Sequence, residues 1–68
     1  MKQLSGQDVC SLLKRNGWQL KRLNGSHHIF TKEGQIERIS VPVHGNKPLK
    51  LGLLKALLKV AGIQEKDL

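Results

Sequence analysis

The chain has 68 residues, enough for a single domain (residues 1–68) close to the size at which a core can stabilise itself alone. Twelve Lys and Arg against five Asp and Glu give a formal charge of +7, a field suited to a polyanion, with nucleic acid ahead of an acidic protein. One cysteine rules out an internal disulfide, and no apolar run is long enough to span a bilayer or to serve as a secretory h-region; the expectation is a reduced, cytoplasmic protein without membrane attachment.

In chain order, Ser5 and Asp8 have the spacing of a capping box, with the Asp8 charge favourable at a helix start. Val9, Leu12 and Leu13 then recur at helical spacing, with Cys10 at the stripe's edge. Lys14 and Arg15 suit a last turn, and Gly17 is placed to stop the helix in a left-handed conformation. These features predict a helix over residues 6–16.

The period then changes from 3.6 to 2. Trp18 to Lys21 alternates as a half-buried strand does, and Asn24-Gly25 is a hairpin signal because both residues accept positive φ. A second strand is predicted over residues 27–32, a turn at Glu33-Gly34-Gln35, and a third strand over 36–43, in which Ile39, Val41 and Val43 share a face. Pro42 lacks an N–H, which places that strand at an edge or near its end. His44 to Pro48 is a loop by composition, and a second helix is predicted over residues 49–61, ended by Gly62. Leu51, Leu54, Leu58 and Ala61 form its stripe. Leu53, Leu57 and Val60 widen it to an apolar arc of roughly 220°, more than one sheet face requires. Either both flanks are covered within the domain or one is covered by a partner. The order helix, strand, strand, strand, helix is that of an α+β double-stranded-RNA-binding-domain-like fold, a three-stranded antiparallel sheet with both helices on one face.

The chemistry concentrates in Gly25-Ser26-His27-His28. A zinc site needs three or four N or S ligands, whereas this chain has one cysteine and three histidines, and adjacent strand residues point to opposite faces. No metal or other cofactor is therefore expected. Nor does the spacing suggest a nucleophilic triad. Asp8 is committed to a cap, Glu33 and Glu37 lie near a turn, and Glu65 and Asp67 are C-terminal.

General acid–base chemistry on RNA asks for less. It needs a histidine, whose ordinary pKa lies near working pH, to take the 2′-hydroxyl proton. It also needs cationic or N–H groups to stabilise the phosphorane. Phe30 is the stronger core anchor of its strand, so alternation turns His28 toward the helices and leaves His27 on the open face. With Ile29 buried instead, the two histidines would exchange roles. Lys21, Arg22, Lys47 and Lys50 are the candidate phosphate-binding cations, and His44 is a loop histidine.

Several segments resemble a known family. Gly25-Ser26-His27-His28-Ile29-Phe30, Val41-Pro42-Val43-His44-Gly45-Asn46, Leu49-Lys50, and Ile63 after Ala61-Gly62 together resemble the HicA-type toxins of toxin–antitoxin systems. Leu4-Ser5-Gly6 and Asn16-Gly17-Trp18 fit as well, so the likeness runs from about Leu4 to the C-terminus. One departure is Lys50-Leu51-Gly52, where relatives often read Lys-Pro-Gly. The resemblance implies the double-stranded-RNA-binding-like fold and a metal-free, ribosome-independent mRNA endonuclease. It implies as well a cognate HicB-type antitoxin that holds the toxin inactive. It also implies catalysis by the histidine after Gly-Ser, here His27 with Gly25 and Ser26 shaping the turn. His28 is the alternative, since some relatives carry one histidine at either position. A non-catalytic RNA-binding module of the same fold is the competing reading, and a pure protein-interaction domain a third.

Overall fold

The computed structural model describes residues 3–64 and 66; Glu65 and Asp67 lie outside the described residues. Its elements are α1 (Gly6–Arg15), β1 (Gln19–Asn24), β2 (His27–Thr31), β3 (Ile39–Pro42) and α2 (Leu51–Ala61). The strands form one antiparallel sheet in the order β1-β2-β3. This is the α+β, double-stranded-RNA-binding-like order expected from the sequence.

Local chemistry fixes the ends of α1. The Ser5 hydroxyl accepts from the Asp8 N–H at 3.2 Å and the Asp8 carboxylate accepts from the Ser5 N–H at 3.0 Å, closing the capping box. At the other end Gly17 takes φ +91°, its N–H donates to Lys14 O, and the Trp18 N–H donates to Leu13 O. That is a Schellman motif, and both Trp18 and Leu13 are buried. The end of α2 repeats the device. Gly62 sits at φ +74° and the Ile63 N–H returns to Leu58 O, which carries Ile63 into the core. Both helix stops therefore also deliver a core residue.

The core is one cluster. Val9, Cys10, Leu12 and Leu13 of α1 and Leu54, Leu57 and Leu58 of α2 meet Phe30, Ile39 and Val41 of the sheet, together with Trp18 and Ile63. Trp18 keeps a buried indole N–H without a hydrogen-bond partner among the described residues. That loss is outweighed by burial of nearly the whole ring. Both helices thus cover the face presented by Phe30, Ile39 and Val41, and the opposite face of the sheet is left open.

Three expectations need correction. The third strand starts at Ile39 rather than Ile36, because Ile39 pairs with Phe30 and β2 ends one residue later. Residues 35–38 therefore have no ladder partner, and Ile36 is 95% exposed. The second helix starts at Leu51 rather than Leu49, with Lys50 in extended conformation as its cap. Its buried stripe is Leu54, Leu57 and Leu58, with Ala61 partly buried against them; Leu51, first in the helix, stays half exposed, as do Leu53 and Val60. The chain's own core thus covers one flank of the wide apolar arc and leaves the other in solvent. Finally, the hairpin turn is Gly25-Ser26, not Asn24-Gly25. Asn24 and His27 form the closing pair, and only Gly25, at φ +62°, has positive φ. A two-residue loop with positive φ at its first position is the II′ pattern.

One glycine is required by packing rather than by φ. A Cβ on Gly6 would overlap the Pro42 carbonyl oxygen and lie 3.0 Å from Val43 Cα, so α1 begins directly against the end of β3. Leu49 N–H donates to Leu4 O at 2.8 Å beside it, tying the loop before α2 to the same corner. Helix propensity favours alanine over glycine by about 1 kcal/mol. Overlap with a backbone atom costs about 1–3 kcal/mol. Gly6→Ala is therefore expected to lower the urea midpoint. A midpoint equal to or above that of wild type would mean that α1 and β3 are further apart.

Candidate active site

The II′ turn at Gly25-Ser26 sets where the two histidines go. His27 is the first residue of β2, paired with Asn24 on one side and Pro42 on the other, and it is exposed. His28 pairs with Leu23 and Val41 and is half-buried on the helix side. Alternation from Phe30, which is 0% exposed, explains both positions.

The His28 side chain meets α1. Its Nδ1 lies 3.7 Å from Cys10 Sγ. Burial pushes the Cys10 thiol above its ordinary value, an effect that nearby Lys14 partly opposes, so near neutral pH the sulfur keeps its proton. A thiol sulfur can donate or accept, and the tautomer of the His28 ring sets the direction of this contact. His27 has no side-chain hydrogen bond among the described residues. Structure thus separates the pair into one histidine tied to the core and one open to solvent.

Around His27 the open face is basic. Arg22, Asn24, Ile29, Arg38 and Ser40 line an open depression of about 300 Å³, with no acidic residue among them. Arg22 reaches this face through a β-bulge. Leu20 pairs with Phe30 on the core side, and uninterrupted alternation would send Arg22 there too. The register shifts by one residue between them, so that Arg22 pairs with Ile29 instead. Arg38 and Ser40 alternate with the buried Ile39 and Val41 and so project to the same side.

Of the four cations singled out in the sequence, only Arg22 lines the depression. Lys21 is the extra residue of the bulge, and Lys47 and Lys50 are exposed in the segment leading to α2. That segment starts beside the hairpin, because the Val43 N–H donates to Ser26 O at 2.8 Å, and His44 follows, exposed. Arg38 escaped the sequence reading, although a signal for it was present in its alternation with Ile39 and Val41. Among the described residues no three His, Cys, Asp or Glu side chains gather as a metal-binding group, and no helix is long and apolar enough to cross a membrane.

A family model described as the HicA toxin of bacterial toxin–antitoxin matches residues 6–63. The chain belongs to the HicA toxin family. No curated protein matches it. The matched span of the HicA family contains α1, the whole sheet, the Gly25-Ser26 turn with both histidines, and α2. The protein is thus the toxin component of a toxin–antitoxin system, and membership implies a cognate antitoxin as its partner.

Proposed function

We propose that this toxin is a metal-independent, ribosome-independent endoribonuclease that cleaves mRNA with His27 as general base. The observation that carries the proposal is the partition of the histidine pair. His27 lies on the open basic face with Arg22 and Ser40, while His28 is turned to Cys10 on α1. A base has to reach its proton, and an exposed imidazole at a strand start can do so.

In the proposed reaction His27 removes the proton of a ribose 2′-hydroxyl and the 2′-oxygen attacks the adjacent phosphorus. The bond from phosphorus to the 5′-oxygen breaks, leaving a 2′,3′-cyclic phosphate on one fragment. The departing 5′-oxygen takes a proton from water, and His27 later returns its own proton to solvent. Charge on the phosphorane is met by the positive field of the basic face and by backbone N–H groups of the Gly25-Ser26 turn, which Gly25 shapes by accepting positive φ. Lys21, Arg22, Lys47 and Lys50 hold flanking phosphates in this reading. Imidazole supplies the base and the cations supply the charge, so no divalent ion or other cofactor is assigned a role.

The test is incubation of the purified toxin with mRNA in EDTA. Fragmentation is expected. Intact RNA bound with steep salt dependence would instead mark a non-catalytic RNA-binding module.

A further inference from the structure

Arg22 on β1 and Arg38 just before β3 stand on opposite sides of β2, yet both line the same open depression, together with Asn24, Ile29 and Ser40. Neither guanidinium has a carboxylate partner among the described residues. Two unpaired like charges over a common floor repel each other, and an anion held between them relieves that repulsion. Guanidinium forks match phosphate oxygens in pairs, which gives orientation as well as charge. The floor adds the Asn24 amide, the Ser40 hydroxyl and the half-buried Ile29, two hydrogen-bonding groups beside an apolar patch. Phosphate, ribose and part of a base are what such a lining suits, and a volume of about 300 Å³ is at the small end of ligand sites.

Position relative to His27 matters as much as composition. His27 and Ile29 are two residues apart on β2 and share a face, which puts their rows about 6.5 Å from each other along the strand. That is the scale of one nucleotide step in an extended strand.

We propose that this depression is a phosphate subsite for single-stranded RNA, in which Arg22 and Arg38 clasp the phosphate next to the one attacked at His27. The strand then runs along β2 across the open face of the sheet, the face that the helices leave uncovered. The subsite rests on the RNA substrate proposed above, but not on which residue is the base.

The probe is a single-stranded 2′-O-methyl oligoribonucleotide, which lacks the attacking hydroxyl and cannot be cleaved. Its affinity is followed by fluorescence anisotropy over a salt series. Arg22→Gln with Arg38→Gln is expected to weaken binding at least about tenfold and to lower the salt slope by about 0.7, the value for one phosphate contact on a single strand. Ser40→Glu, which puts a carboxylate on the floor, is expected to weaken binding similarly, and thermal melts establish that each variant is folded. Lys14→Gln with Lys59→Gln, on the helices, is expected to change binding less than threefold. Wild-type affinity and slope in the double arginine variant overturn the subsite, as does an equal loss in the lysine pair. Loss of antitoxin binding alone, with RNA binding intact, overturns it too and reassigns the face to a protein. Failure of wild type to cleave mRNA in EDTA, with the binding losses as expected, would remove the nuclease and leave the subsite standing.

Discussion

Replacing His27 by alanine is expected to reduce RNA cleavage by about 10²–10⁴-fold, the usual contribution of a positioned general base. The fold should be unaffected, because the His27 side chain is exposed and makes no hydrogen bond among the described residues. His28→Ala is expected to behave in the opposite way. It removes the group facing Cys10 Sγ at 3.7 Å, so it should lower stability while changing cleavage by less than about tenfold. Gel analysis of cleavage alongside thermal melts separates the two effects. If His28→Ala abolishes cleavage in a folded protein and His27→Ala does not, the assignment is reversed.

The largest expected effect on stability is at Phe30. It is 0% exposed and sits at the centre of the cluster that joins both helices to the sheet. Truncating a buried phenylalanine to alanine costs about 3–5 kcal/mol. A domain of 68 residues has a total stability of about 3–10 kcal/mol at 0.05–0.15 kcal/mol per residue. Phe30→Ala should therefore remove from about a third to all of that stability, seen as a large fall in melting temperature. Ile29→Ala, on the open face and only half-buried, should cost about 1 kcal/mol or less. Comparable melting temperatures for the two variants would contradict the face assignment, and with it the separation of His27 from His28.

What the sequence made legible follows a physical pattern. The capping box at Ser5 and Asp8, the stop at Gly17 and the face of Phe30 depend on interactions within a few residues, and each was readable. The face of Arg22 was not, because it depends on a bulge set by pairing with β2. Nor was the start of β3, which depends on where its partner strand ends. Asn24-Gly25 carried the right turn signal at the wrong offset: the closing pair Asn24 and His27 moves the turn to Gly25-Ser26. On α2, periodicity gave the apolar arc but not which part of it the core would use, since that is chosen by α1 and the sheet. The candidate site divides along the same line. The open-face position of His27 followed from local alternation with Phe30, whereas its role as base came from the family resemblance alone. Arg38 became part of the site only once β1 and β3 were placed on either side of β2.

The central claim is that His27 activates a 2′-hydroxyl against its own neighbouring phosphate, and the ends of the RNA fragments report this directly. Mass analysis of fragments formed in EDTA should find 2′,3′-cyclic phosphate on one side of each cut and 5′-hydroxyl on the other. A single 2′-deoxy substitution at the cut site should abolish that cut. Fragments with 5′-phosphate and 3′-hydroxyl ends, or cleavage indifferent to the 2′-deoxy substitution, would contradict the mechanism.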